Sequence, residues 1–529
     1  MAKKNLDIPE AKFPEQVGMD SKEIAALVDD FKESEIELHS LMLYRHGKLA
    51  FECHAAPYAR DIPHTMFSVS KSFVSIAVGF AVSEGLLSLD DKVIDFFPEL
   101  RPEKKDEWLE KMTVFHLLTM TAGKRVNYLS DKSSKTWVAD FINEKWEFEP
   151  GTKFLYVSEN TYMCGAIIKK LTGLGLVEYL TPRLFEPLGI TPPAWELDPS
   201  GQETGGWGLF IAPYDLSKVA LCVLNKGQYA GKQIIPADYI EAALSKQADN
   251  SDNGDPKSDS VCGYGYYFWI NKMEHTERMD GMFSQFAIFF HDYDALLVCT
   301  CSEINEQKTR DCIFRHFPQM FISNKRKAPD DMPEIKLDPM PNLGTAPRSV
   351  TEQALKGRVL QFKKNALLNT VGFPTSMLAI PVVFMSSEKS GNINNIVFDF
   401  RENECVMAWD EGKDHNMISC GMDGKPRLSK YHLGGMDYTA VSTAVWNSEN
   451  ELEMWIRPLE SITERRMRFV FTDKSVTMYP TSSPPSKALA NGVSGSVADF
   501  LPDAFNGVVS SFMDNIDFII DAPIKGKII

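Results

Sequence analysis

The chain has 529 residues, of which 44% are hydrophobic and 24% charged, and it carries a formal net charge of −16. This length predicts two or more domains, and the acidic balance disfavours binding to nucleic acid or to anionic membranes. The first residues lack the apolar core of a secretory signal, no run is long enough to span a bilayer, and nine scattered cysteines suggest no complete disulfide framework, so we expect a cytoplasmic protein.

The first distinct elements are a hairpin and a buried helix. Residues Leu41 to Phe51 alternate as two strands about a His46-Gly47-Lys48 turn. The stretch that follows Ser68 is small and apolar on nearly every face and ends near Gly85, which predicts a helix in the centre of a domain. Helices mixed with antiparallel strands favour an α+β domain.

The motif Ser68-Val69-Ser70-Lys71 lies at the amino end of this helix. Residues three apart share a helix face, so the hydroxyl of Ser68 and the amine of Lys71 can come within hydrogen-bond reach. A buried lysine can lose its charge and help to activate a serine nucleophile. The helix terminus would also favour an oxyanion formed there.

Two further segments carry candidate chemistry. Tyr156 lies between an extended piece and a helix predicted from Thr161 to Leu171, where its phenol could relay protons. The segment Arg278 to Gln285 leads into a strand, and its Gly281 would let a substrate lie against the strand edge. Taken alone, a half-buried tyrosine and a simple turn are the more economical interpretations.

Metal and nucleotide sites find no support in the sequence. Neither H-E-x-x-H, paired C-x-x-C, a Walker loop nor a dinucleotide glycine motif is present. The glycine-rich stretch Gly205-Gly206-Trp207-Gly208 lacks the lysine of a phosphate loop and predicts close approach of two backbones instead. We therefore expect no cofactor and no metal.

The second half of the chain differs in composition. We divide the sequence into a hydrolase-like domain over 1–324, a proline-rich linker over 325–350, a small antiparallel β domain over 351–485 and a tail of uncertain structure over 486–529. The β domain is predicted as a barrel or sandwich from short alternating runs bounded by Gly, Asn or Asp. These runs are Met377–Met385, Asn395–Phe400, Tyr438–Trp446, Glu451–Arg457 and Met467–Phe471.

Six segments, in order, resemble the serine hydrolases that share the penicillin-binding-protein and class C β-lactamase fold. They are Phe67–Phe73, Glu84–Val93, Thr113–Gly123, Gly151–Gly165, Leu184–Gly189 and Gly205–Leu216. The resemblance covers about residues 13 to 320 and implies an antiparallel sheet flanked by helices, with an all-helical insert. Six ordered matches are far more specific than a single short motif.

The resemblance also implies roles for particular residues. Ser68 would be the acylated nucleophile, Lys71 its proton partner and Tyr156 the base that assists acylation and deacylation. The backbone N–H groups of Ser68 and Met282 would form the oxyanion hole.

Two departures from the family pattern concern substrate binding. Ser158 stands where an asparagine is usual, and Met279 stands two residues before Gly281 where a lysine or histidine is usual. A thioether cannot bind a carboxylate, and Arg278 should face away from Met279 because side chains alternate along a strand.

These departures favour a hydrolase of esters, small amides or short peptides over the alternatives, a β-lactamase or D-amino-acid peptidase. A third alternative is a catalytically inactive relative that uses the fold for binding. The appended β domain could cover the cleft or mediate assembly into a homo-oligomer.

Overall fold

The computed structural model describes residues 6–125, 134–322, 327–363, 376–377, 391–492 and 521–529. The chain divides into two compact units between Asp338 and Pro339, a point that falls within the predicted linker. Residues 327–349 form no helix or strand. The four-part division made from the sequence stays a prediction.

The first unit is built on one antiparallel sheet of six strands, in the order β2-β1-β11-β10-β9-β8. The strands of this unit are β1 (Leu38–Arg45), β2 (Lys48–His54), β3 (His64–Thr65), β4 (Ala194–Trp195), β5 (Leu209–Ile211), β6 (Gln228–Tyr229), β7 (Lys232–Gln233), β8 (Trp269–Ile270), β9 (Thr276–Gly281), β10 (Gln285–Phe290) and β11 (Ala295–Cys301). The short strands β3, β5 and β4 form a separate sheet, and β6 pairs with β7.

Ten α-helices accompany these strands in the described part of the first unit. They are α1 (Ser21–Glu33), α2 (Ser70–Ser83), α3 (Val114–Leu118), α4 (Trp137–Asn143), α5 (Ser158–Thr172), α6 (Leu176–Leu180), α7 (Glu186–Leu188), α8 (Pro213–Leu224), α9 (Ala237–Leu244) and α10 (Glu306–His316). Between β3 and β4 the described residues hold helices and no named strand, which confirms the expected helical insert.

The core lies on both faces of the six-stranded sheet. Helices α1 and α10 pack together, and their apolar residues share one cluster with alternate side chains of β1, β10 and β11. Helix α8 packs on β10 and β11. Helix α2 is buried from Ser70 to Ala81 and packs against α5, so the helix that begins near Ser68 lies in the interior, as its composition predicted.

The early and late hairpins form as the alternation of the sequence predicted. Strands β1 and β2 turn at His46 and Gly47, and β10 and β11 are joined by residues 291–294. Helix α5 begins at Ser158 rather than at the predicted Thr161, and the residue before it, Val157, has an extended backbone and makes no side-chain cap. Ser158 therefore lies in the first helical turn.

The second unit contains a closed barrel, which decides between the predicted barrel and sandwich. Nine strands follow one another around the ring as β15-β14-β13-β12-β21-β20-β19-β18-β17, and a pairing of Gly421 with Thr443 closes it. The strands are β12 (Leu360–Phe362), β13 (Ile393–Phe400), β14 (Glu404–Glu411), β15 (Asp414–Gly421), β16 (Arg427–Leu433), β17 (Met436–Ser448), β18 (Glu451–Pro458), β19 (Glu464–Phe471), β20 (Ser475–Ser483) and β21 (Ile524–Ile528). Strand β16 pairs with β17 outside the ring.

Four of the predicted β runs lie within β13, β17, β18 and β19. The fifth, Met377–Met385, falls almost wholly outside the described residues. The tail that the sequence left unplaced contributes β21, while its apolar residues between 500 and 520 are also outside the described part. The described residues of this unit also form two helices, α11 (Thr351–Leu355) and α12 (Ser486–Gly492).

Candidate active site

Ser68 lies in a short 3-10 turn, Phe67–Val69, directly before α2. The residues on either side of it are buried, whereas Ser68 is partly exposed. Phe67 has a left-handed backbone with φ of 44°, a conformation that is strained for a residue with a side chain. The Ser70 hydroxyl donates to the Phe67 carbonyl oxygen at 2.5 Å and accepts from the Leu209 N–H at 3.1 Å, which holds this turn in place.

Lys71 is buried one helical turn after Ser68 and has three polar neighbours. Its Nζ lies 2.9 Å from Ser68 Oγ, 3.0 Å from Ser158 Oγ and 2.6 Å from the Gly206 carbonyl oxygen. Burial lowers the pKa of Lys71 from its ordinary 10.5 to about 7, although the carboxylates of Glu159 and Asp280 oppose the change. Near neutral pH the amine is therefore present in both charged and uncharged forms.

Tyr156 is a further neighbour of the Lys71 amine. Its ring centroid is 4.9 Å from Lys71 Nζ and 5.3 Å from the centroid of the Trp269 ring. Burial raises the pKa of Tyr156 well above 10, and a hydrogen bond with Ser68 opposes this only in part. The phenol is accordingly neutral at physiological pH and available as a hydrogen-bond donor.

Gly206 is a part of the site that sequence reasoning missed. The sequence predicted only a close approach of backbones at this glycine, and a Cβ there would indeed lie 2.7 Å from the Ser158 carbonyl oxygen. The close approach has a second consequence, because it brings the Gly206 carbonyl to Lys71. The double glycine was the available signal, but nothing in the sequence indicates that its carbonyl meets an amine 135 positions earlier.

The predicted oxyanion hole lies at the end of β9. A Cβ at Gly281 would collide with the Met66 carbonyl oxygen, so the absence of a side chain lets this strand end lie against the backbone just before Ser68. The N–H of Met282 meets no backbone or side-chain acceptor among the described residues. This amide is therefore free to bind an anionic oxygen.

Met279 is fully buried on β9, where the family pattern has a cation. Arg278 does not replace that cation, because its guanidinium is buried against Asp280 at 2.5 Å and Asn271 at 2.5 Å. Lys153, a cation three residues before Tyr156, is exposed. The structure thus connects Ser68, Lys71, Tyr156 and Ser158 by direct contacts and leaves the Met279 position without a cation.

The described part of the chain contains neither a metal-binding cluster nor a membrane-spanning helix. No group of three or more His, Cys, Asp or Glu side chains there could hold a metal ion. No helix there is long and apolar enough to cross a membrane. All nine cysteines are free thiols.

Comparison with known proteins shows that the chain is similar in sequence to hydrolases. The family model described as β-lactamase matches residues 24–305, just over half of the chain. A β-lactamase of Escherichia coli is 30% identical over 154 residues, which cover 29% of this chain and 40% of that protein. The 6-aminohexanoate-dimer hydrolase of Paenarthrobacter ureafaciens is 26% identical over 227 residues, covering 39% of this chain and 57% of that protein.

Esterase EstB of Burkholderia gladioli is 29% identical over 171 residues, covering 29% of this chain and 43% of that esterase. The chain therefore spans less than two thirds of the length of each of these relatives.

Proposed function

This chain belongs to the β-lactamase family, and from that membership and the geometry of its site we propose that it is a serine hydrolase that forms an acyl-enzyme on Ser68 with uncharged esters or small amides. The observation that carries the proposal is the contact of Ser68 Oγ with Lys71 Nζ at 2.9 Å, together with the pKa of about 7 at that amine. A nucleophile needs a base within hydrogen-bond reach and with a pKa near the working pH.

Acylation starts with the uncharged form of Lys71. This amine donates its two N–H bonds to the Gly206 carbonyl and the Ser158 hydroxyl, so its lone pair faces the Ser68 hydroxyl. Ser68 Oγ bonds to the substrate carbonyl carbon as its proton moves to Lys71 Nζ. The carbonyl oxygen becomes an oxyanion, which the backbone N–H groups of Ser68 and Met282 bind.

Collapse of this intermediate breaks the bond to the leaving group. The Tyr156 hydroxyl gives its proton to the departing oxygen or nitrogen, and the ammonium of Lys71 returns a proton to the phenolate. A water then attacks the acyl carbon, its proton passes to Lys71, and Ser68 regains its hydroxyl proton as the acid leaves. We assign the base to Lys71 rather than to Tyr156, because the pKa of the phenol is raised.

The preference for an uncharged substrate comes from the charges near the site. A carboxylate on the substrate needs a cation, yet Met279 is apolar and Arg278 is already bound to Asp280. Arg310 is also buried and lies 3.5 Å from Asp280, so its charge is engaged within the protein as well. The named activities of the relatives, on a 6-aminohexanoate dimer and as an esterase, agree with an ester or amide bond.

The test is intact-protein mass spectrometry after brief exposure to a fluorophosphonate, a p-nitrophenyl ester or a β-lactam. We expect an adduct on the wild type and none on Ser68→Ala. Ser72→Ala serves as the control. Ser72 is buried on the same helix, and among the described residues its hydroxyl donates to the Tyr267 carbonyl oxygen at 2.8 Å. An adduct that persists in Ser68→Ala would overturn the proposal, and turnover of the β-lactam in place of the ester would favour the β-lactamase alternative.

A further inference from the structure

The turn that joins β9 to β10 adopts an unfavourable backbone. It consists of Met282, Phe283 and Ser284, and the last two have φ of 62° and 68°. Residues with side chains rarely take this left-handed conformation, and two in succession are rarer still. Such a turn persists only where its surroundings hold it.

The first turns of α10 supply two of the contacts that hold it. The Phe283 N–H donates to Glu306 Oε1 at 3.1 Å. The hydroxyl of Ser284 donates to Thr309 Oγ1 at 2.8 Å, and both side chains are fully buried. The strained backbone immediately after Met282 is therefore tied to a helix that contributes none of the predicted catalytic groups.

The remaining contacts fix the turn from its own strand and from the nucleophile side. The buried amide of Gln285 donates to the carbonyl oxygens of Met282 at 3.2 Å and Phe283 at 2.9 Å. The Phe283 ring meets the ring of Phe67 edge to face, with 5.2 Å between their centroids. Because Phe67 precedes Ser68, a displacement of this turn changes the space between the nucleophile and the Met282 amide.

Charged groups from β9 and α10 surround Glu306. Burial and the nearby Asp280 raise the pKa of Glu306 above its ordinary value, while Arg310, Arg278 and the Phe283 amide favour its ionised form. Arg310 lies 3.8 Å from Glu306 and 3.5 Å from Asp280. The carboxylate is thus held in place from several sides as well as accepting from the turn.

We infer that Glu306 is a positioning residue, which accepts the Phe283 N–H and so holds the strained turn with the Met282 amide directed at the reacting carbonyl. The inference rests on the proposed acyl-enzyme function. Glu306 contacts neither Ser68 nor Lys71 among the described residues. Its charge also helps to raise the pKa of Tyr156, and the glutamine and leucine variants below both remove that charge.

Two variants of Glu306 separate this role from simple packing. Glu306→Gln keeps a carbonyl oxygen that can accept the Phe283 N–H, whereas Glu306→Leu has no acceptor. Arg315→Gln is the control, because Arg315 lies on the same helix and pairs with Asp30 instead. For each, the rate constant of Ser68 acylation and the KM are measured with a p-nitrophenyl ester, and the Tm is recorded.

Loss of one oxyanion donor lowers kcat by about a hundredfold to a thousandfold, so a misdirected donor should lower acylation by about tenfold to a hundredfold. We expect that loss in Glu306→Leu with KM within about twofold, near wild-type acylation in Glu306→Gln, and no change in Arg315→Gln. Equal acylation rates in Glu306→Leu and the wild type would overturn the inference, as would equal losses in the leucine and glutamine variants.

A second substitution keeps the inference testable if Glu306→Leu folds poorly. Glu306→Met also lacks an oxygen acceptor but has a flexible, unbranched side chain that fills irregular space, so it should lose acylation as Glu306→Leu does. Wild-type acylation in a Glu306→Met variant with wild-type Tm would count against the inference. Failure of the proposed function looks different, because then the wild type would show no acylation or Ser68→Ala would still be labelled.

Discussion

Replacing Lys71 by methionine should change stability with a pH dependence that can be calculated from the site. The pKa of the buried amine is about 7, against 10.5 in the unfolded chain. Each pKa unit corresponds to about 1.4 kcal/mol, so burial disfavours the ammonium by roughly 5 kcal/mol. The unfolded state keeps its proton up to pH 10.5 while the folded state loses it near pH 7, and wild-type stability therefore rises with pH between these values.

Lys71→Met lacks this titration but also loses three hydrogen bonds, at about 1 kcal/mol each. At pH 7 the free energy that the variant gains by not burying a lysine exceeds this loss, and the variant should be about 1 kcal/mol more stable than the wild type. At pH 10 most of this gain is gone, and the variant should be about 2 kcal/mol less stable than the wild type. Its acylation should be lost at both pH values, because the base is missing.

The assay is urea denaturation of both proteins from pH 6 to pH 10, followed by fluorescence, with acylation measured in parallel. Lys124→Met is the matched control, since Lys124 is also buried, its pKa is lowered to about 8 and it donates to the carbonyl oxygens of Ile142 and Glu144. That variant should show a similar pH trend in stability with acylation intact. A stability difference for Lys71→Met that stays constant with pH would refute the lowered pKa and the role of base that depends on it.

Four further outcomes follow from the same contacts. Tyr156→Phe keeps the ring against its neighbours but loses the donor to the leaving group, so kcat should fall about a hundredfold in steady-state ester hydrolysis, and an unchanged kcat would contradict the assignment. The kcat/KM of the wild type should rise with pH through about 7 as Lys71 loses its proton. The same rise should be seen in Glu306→Gln. If it disappears in that variant, the titrating group is Glu306 and not Lys71. Gly206→Ala places a Cβ 2.7 Å from the Ser158 carbonyl oxygen, so it should cost about 1–3 kcal/mol in urea denaturation and slow acylation as well. In the barrel, Glu464→Ala removes an ionised acceptor that lies 2.8 Å from the buried Arg457, so it should lower the stability of that unit by about 1.5–3 kcal/mol; an unchanged barrel transition would contradict the pairing.

Local sequence patterns predicted the elements whose geometry depends on neighbouring residues. Ser68 and Lys71 meet because they are three residues apart on one helical face, and β10 and β11 follow the alternation of their own side chains. The start of α5 was placed three residues late, since an extended residue before Ser158 decides where the helix begins. In the barrel, β12, β14, β15, β16, β20 and β21 were not predicted, although β20 alternates buried residues with more exposed ones.

The alternation rule placed Arg278 and Met279 on opposite faces of β9, but it did not show what each face meets. Packing of α10 beside the strand end gives Asp280 and Arg278 a common charged cluster with Arg310. The guanidinium is thereby neutralised within the protein instead of being available to a ligand. Contacts of this kind depend on which helix covers the strand, and no periodicity in the chain specifies that.

The sequence by itself predicted the family, the contact of Ser68 with Lys71 one turn later, and the early and late hairpins of the first unit, since these follow from short-range spacing and ordered motifs. Tertiary structure decided the lowered pKa of Lys71, the contact of its amine with the Gly206 carbonyl oxygen, and the hydrogen bond from the Phe283 N–H to Glu306. The pKa of a buried group depends on solvent exclusion and on charges brought from distant segments. A chain can encode these surroundings only through its complete fold.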